Sequence, residues 1–138
     1  MRRYNSRVRA LLIVAALLCA ACAAGGAPSH EPFADIPVPA GWRPQTRESV
    51  VIQSPKVTAG KIVYFAESNV DSTLSEARSL LREAGWTETK SERFVNPEKF
   101  PGAWAEFSKG HDYCRITVTE GTGLQQVDIT VTRLNGAP

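Results

Sequence analysis

Histidine and cysteine are scarce in this chain: His30 and His111 are the only two histidines in 138 residues, and Cys19, Cys22 and Cys114 the only three cysteines. With so few ligands, none at metal-binding spacing, no zinc centre and no Ser-His-Asp nucleophile system is expected. A Gly-rich phosphate loop is also missing. No acid precedes Glu31, and no long apolar run follows Ala21, so the rest of the chain offers no membrane-spanning helix. Clustered lysines and arginines with interleaved aromatics are absent too, which argues against nucleic acid as a partner. The formal charge of +2 (16 basic against 14 acidic residues) includes Arg2, Arg3, Arg7 and Arg9; without those four arginines the balance is 12 against 14, or −2. Neither a catalytic constellation nor a cofactor or metal is therefore expected, and the chain reads as a non-enzyme.

What is present first is an address. The basic opening is followed by the unbroken apolar stretch 10–21. As a helix those residues rise about 18 Å, short of the ~30 Å hydrocarbon core. A basic start, a short apolar run and small residues after it form an export signal. Cys19-Ala20-Ala21-Cys22 has the spacing of a redox pair, but no folded scaffold or further ligand accompanies it. These residues resemble the lipobox of bacterial lipoproteins, with Cys19 in the place usually held by Leu or another aliphatic, and cysteine packs as a small hydrophobe. The resemblance implies a signal peptide over 1–21 and acylation of Cys22, which becomes the first residue of a membrane-anchored protein. In a Gram-negative cell, Ala23 in place of Asp implies the outer membrane, with the domain in the periplasm or at the cell surface. An ordinary secretory signal cut at Ala21-Cys22-Ala23 is the alternative.

Residues 22–32, small, polar and proline-broken, read as a flexible tether with a reach on the order of 18 Å. Residues 33–138 then form a single domain. Its first segment, 33–44, carries Pro37, Pro39 and Pro44 among Phe33, Ile36, Val38 and Trp42, which excludes a helix. It either packs along the domain or serves as a ligand for a partner. Strands are expected at 49–53 and 60–67, the second apolar on both faces and so in need of cover on its second face, from the proline-rich segment or from a partner. Residues 71–84 read as a helix, with Thr73–Glu76 fitting a capping box and Gly85 the left-handed stop. A short strand at 86–90 leads into a long loop, 91–102.

The last third alternates with a period of two over 103–109, 112–119 and 124–134. A two-residue turn at Gly110-His111 places Phe107 opposite Cys114 and Glu106 opposite Arg115; a four-residue turn at 120–123 places Cys114 opposite Ile129 and Arg115 opposite Asp128. Cys114 then belongs to the core face, out of reach of His111. Arg115 lies between two acids on the other face. Trp104, Tyr113, Arg115, Glu106 and Asp128 form a candidate partner-binding surface, or an ordinary cross-strand ion triad beside two aromatics.

The expected fold is α+β: a single antiparallel sheet of five or six strands with one helix packed on one face, in the order ββαββββ. Phe33–Pro39, Ile62-Val63-Tyr64, Gly85-Trp86, Phe107-Ser108-Lys109 and Cys114-Arg115-Ile116 resemble segments of small uncharacterised lipoproteins of Gram-negative envelopes, and the element order is similar to that of helix-grip domains. The resemblance supplies no activity. It implies an envelope lipoprotein held at the membrane by lipid on Cys22; the function expected of the chain is that of a non-enzymatic interaction or accessory module, with an envelope protein as its partner. The alternative function is a small-ligand-binding domain or enzyme with a cleft near loop 91–102.

Overall fold

A computed structural model describes residues 33–136; the expected signal peptide 1–21, Cys22 and the tether 22–32 lie outside the described residues. The fold is one antiparallel sheet with one helix, an α+β architecture. Its elements are β1 (Arg43–Pro44), β2 (Val50–Gln53), β3 (Val57–Ala66), α1 (Val70–Glu83), β4 (Thr87–Val95), β5 (Pro101–Lys109), β6 (Asp112–Glu120) and β7 (Gln125–Leu134). The seven strands run β1-β3-β7-β6-β5-β4 across the sheet, and β2 pairs with β3 beside β1. β4 to β7 form a meander whose last strand turns back to pair with β3 along its whole length, Val57 with Leu134 through Ala66 with Gln125.

Seven strands replace the five or six expected, because Arg43 and Pro44 add a short edge strand against Phe65 and Tyr64. A proline at the edge needs no ladder donor, so nothing in the local sequence announces a strand there. The long loop also shrinks. β4 continues to Val95 and β5 begins at Pro101, so only residues 96–100 remain as a connection. Glu92 and Arg93 obscure β4 because it is a sheet edge, where charged side chains discourage pairing with other chains. The short connection is closed by Asn96, whose side chain accepts from the Phe100 amide at 2.8 Å while its own amide donates to the Phe100 carbonyl at 2.9 Å.

α1 starts earlier than the Thr73–Glu76 pattern suggests. Asn69 is the cap: its Oδ1 accepts from the Ser72 amide at 2.9 Å, and Thr73 is buried within the first turn. At the other end Gly85 takes φ +86°, and the Trp86 amide donates to Leu81 O at 2.9 Å, closing the helix with a left-handed turn. The buried stripe of Leu74, Ala77 and Leu81 lies over β4, β5 and β6.

The inner face of the sheet contributes Ile62, Tyr64, Ala105, Phe107, Cys114, Ile116, Val118, Val127, Ile129 and Val131 to the core. α1 covers one half of this face, and the proline-rich segment 33–42 straps the other. Phe33 and Ile36 are buried, and the Trp42 ring sits 5.9 Å from that of Tyr64. Packing along the domain is thus the arrangement adopted, but on the inner face and not on the second face of β3. On that second face Val63 is fully buried; its amide donates to Ser49 Oγ at 3.1 Å and its carbonyl accepts from the Gln45 amide at 2.8 Å. The strap is latched by Asp35, whose carboxylate pairs with Arg133, which also reaches Asp112 at 3.3 Å.

Candidate functional site

The face of the sheet turned away from α1 carries the side chains that the strand alternation directs outward. On β5 these are Trp104 and Glu106, on β6 Tyr113 and Arg115, and on β7 Asp128; all are half-buried. The β5–β6 register places Glu106 directly opposite Arg115 and Phe107 opposite Cys114, as the two-residue turn at Gly110-His111 requires. Gly110 takes φ +60° there, a conformation that glycine adopts without strain.

The β6–β7 register differs from the expectation by two residues. Glu120 pairs with Gln125, so residues 121–124 form the connection, and Cys114 faces Val131 where Ile129 was expected. A two-residue shift keeps every side chain on its face, which is why hydrophobic alternation alone cannot detect it. It does separate the charged triad. Asp128 lies opposite Thr117 and pairs with Lys61 of β3 at 3.0 Å, while Arg115 faces Thr130. Arg115 therefore has one acid in this cluster, not two.

The remaining four residues come together tightly. Glu106 Oε1 receives Arg115 at 2.6 Å and the Tyr113 hydroxyl at 2.7 Å. The Arg115 guanidinium also lies over the Trp104 ring, 4.2 Å from its centroid, and Lys90 from the edge strand β4 approaches the same ring at 5.4 Å. The hydrogen bond from Tyr113, followed by the Arg115 contact, holds the Glu106 carboxyl below the usual carboxylate range, and burial followed by the Glu106 contact raises the Tyr113 hydroxyl. Glu106 thus stays an anion and Tyr113 a donor. A partly exposed ion pair of this kind adds little to stability, and a surface cation–π contact contributes about 0.5–1 kcal/mol. The cluster matters less for stability than for geometry: it holds the Trp104 ring and a guanidinium in fixed positions on an open face.

Lys90 is not among the expected members because the short strand read over 86–90 carries no pairing register in the sequence, and an irregularity between Glu88 and Lys90 interrupts the alternation that would assign its face. A second omission is Phe94, whose ring lies across Gly102; a Cβ on Gly102 would come within 2.3 Å of it and 2.8 Å of the Val118 carbonyl. A Phe and a Gly directly opposite one another on paired strands is the one sequence signal available for it.

Near the 96–100 connection a cleft of about 500 Å³ opens on the same side as the β6–β7 turn, lined by Phe65, Asn96, Phe100, Thr119, Leu124 and Gln126. His111 stands exposed on its turn and Cys114 is fully buried on the inner face, so the two do not meet. Among the described residues no group of three or more His, Cys, Asp or Glu side chains is placed to hold a metal ion, and no helix is long and apolar enough to cross a membrane. No family model matches the chain, and no curated protein matches it in sequence.

Proposed function

We propose that the chain is a lipid-anchored envelope module that binds another envelope protein through the Trp104–Arg115 face of its sheet. The observation that carries this reading is the half-exposed Trp104 ring with Arg115 and Lys90 over it and Glu106 bracing Arg115. Tryptophan and arginine are the residues on which binding energy concentrates, and side chains already fixed lose little freedom when a partner arrives. In this proposal acyl chains on Cys22 hold the domain at the outer membrane, in the periplasm or at the cell surface, and the module is non-enzymatic, with no cofactor and no nucleic acid partner. The lipobox-like Cys19–Cys22 supports the anchor, and the single helix on an antiparallel sheet supports a helix-grip-like arrangement.

Trp104→Ala and Arg115→Ala are expected to leave circular dichroism and melting behaviour close to wild type while lowering capture of a co-purifying envelope protein about thirtyfold or more, the scale of a hot-spot residue. Undiminished capture by both variants would remove this face from the reading. The anchor has its own test in the intact mass of C-terminally tagged protein from its native envelope. A mass for residues 22–138 plus acyl chains is expected; an unacylated chain starting after Ala23 or Ala24 would mean an ordinary secretory signal and a freely diffusing domain.

The cleft beside Asn96 and Phe100 favours one second reading, a small-ligand site lined by Phe65, Phe100 and Leu124 together with the side-chain amides of Asn96 and Gln126. A small molecule that raises the melting temperature of wild type but not of Phe100→Ala, with no protein partner recovered, would favour it over the module.

A further inference from the structure

Strand β2 is exposed along its whole length. Val50, Val51 and Ile52 are 57%, 44% and 65% exposed, although apolar side chains on both faces of a strand ordinarily mark a buried one. β2 pairs with β3 on one side only, and among the described residues its other edge has no partner. It has no bulge, proline or charged side chain within it to discourage pairing, the devices by which exposed edges are usually blunted.

The main chain fixes which groups that edge offers. The Ser54 amide donates to Val57 O at 2.8 Å and the Val57 amide donates back to Ser54 Oγ at 3.0 Å, so residues 54 and 57 stand at a hydrogen-bonding position in line with the β2–β3 register. Such pairs alternate along an antiparallel ladder. Val50 and Ile52 therefore turn their amides and carbonyls toward β3, and the Val50 carbonyl indeed lies 3.1 Å from the position a Gly60 Cβ would occupy. Val51 and Gln53 turn theirs outward, to the open edge.

We propose that β2 pairs with the β2 strand of a second copy of this chain, antiparallel and with the twofold axis at Ile52. In that register Val51 of each copy faces Gln53 of the other, and their outward amides and carbonyls exchange hydrogen bonds on both sides of the axis. The two Ile52 side chains meet in a non-hydrogen-bonded pair, the closer kind, with Cα atoms about 4.5 Å apart. Charge selects this register over its neighbour. Glu48 and Lys56 occupy the turns that flank β2 at its two ends, and neither side chain has an ion-pair partner among the described residues. Pairing about Ile52 brings Glu48 of each copy opposite Lys56 of the other, whereas pairing about Val51 puts Glu48 against Ser54 and Lys56 against Thr46. The contact is self-complementary, as a closed twofold dimer requires. An interface built on so short a strand is small, so the association is weak and depends on concentration.

The test is sedimentation equilibrium of the full chain in density-matched detergent. Wild type is expected to dimerise with rising concentration, and Ile52→Lys, which places two ammonium groups at the axis, to weaken dimerisation about tenfold or more with an unchanged circular dichroism spectrum. Glu48→Lys and Lys56→Glu are each expected to weaken it, and the double reversal to return it to within about threefold of wild type. A chain that stays monomeric up to about 1 mM overturns the proposal, whether the edge is then covered by the chain's own N-terminal residues or by another protein. A dimer indifferent to Ile52→Lys overturns it as well. Should Ile52→Lys fail to fold, the charge series decides alone, because Glu48 and Lys56 are both exposed turn residues, and failure of the double reversal to restore the dimer then refutes the register.

Discussion

Phe33→Ala is expected to lower the free energy of unfolding by about 3–5 kcal/mol, the range for removing a buried aromatic ring. The ring is only 1% exposed and lies over Gly60, where a Cβ would come within 2.5 Å of it. Gly60 thus leaves the space that Phe33 fills. Arg133 covers the ring, 5.4 Å from its centroid, and pairs in turn with Asp35 on the same strap. Without the ring the strap loses its first buried anchor, and the half of the inner face that it covers gains access to water. Urea denaturation with an unchanged dependence on denaturant would give the figure directly. Ala34→Ser, at the exposed neighbouring position, is the matching control and should change stability by less than about 0.5 kcal/mol. A loss below about 1 kcal/mol for Phe33→Ala would mean that the strap contributes little to the folded state.

The second large effect concerns Cys114. Its thiol is fully buried between core residues of β5 and β7, and burial pushes its pKa up to about 12, with the nearby Arg133 and Asp35 acting in opposite directions. Because the thiolate is the reactive form, native labelling at pH 8 should be slowed about a thousandfold by protonation alone, before burial blocks the reagent. Denatured protein should react at the ordinary rate. The same shift has a sign in stability. From about pH 9, where the unfolded thiol loses its proton, to about pH 12, where the native one does, the native state binds more protons than the unfolded state. Stability therefore falls through that window, by about 1.4 kcal/mol per pH unit for the one group, and is unaffected by it below pH 9. Tyr64, raised to about 12 by burial, adds to the loss above pH 10. Cys114→Ala should remove the first part of the alkaline decline and leave the part due to Tyr64. Rapid labelling of native protein would place Cys114 outside the core.

How much of this was legible depends on what each residue had to say locally. Gly85 and the stripe Leu74, Ala77, Leu81 located the helix, because a helix announces itself in spacing and in its left-handed stop. Gly110 pinned the β5–β6 register, since a two-residue turn leaves no freedom. The β6–β7 turn leaves several ways to close, and a slip of two costs nothing in burial, so Asp128 was paired with the wrong cation. Arg43-Pro44 and the outer half of β4 were invisible for a common reason: edge strands are under no pressure to alternate. The three contacts among Trp104, Glu106, Tyr113 and Arg115 accompany the one register that the sequence did determine. The strap was legible as apolar and extended, yet its place on the inner face depends on Gly60, some thirty residues away, and on Arg133 near the other end of the chain.

The seam between β3 and β7 has a consequence for the order in which the fold can be completed. Everything on one side of it, from Phe33 to Ala66, is contiguous in sequence, and so is everything from Val70 to Leu134 on the other. The pairs that join the sides, Ile62 with Ile129 among them, are the most distant contacts in the sheet, and each requires closing a long loop before it is rewarded. During synthesis the strap, the edge strands and β3 emerge first, followed by the helix and the meander. β3 gains its second neighbour only when residues 125–134 have been made, so Ile62, Tyr64 and Ala66 wait on an open edge until β7 is available. A chain truncated before β7 loses not merely one strand but, among the described residues, the only ladder between the two sides.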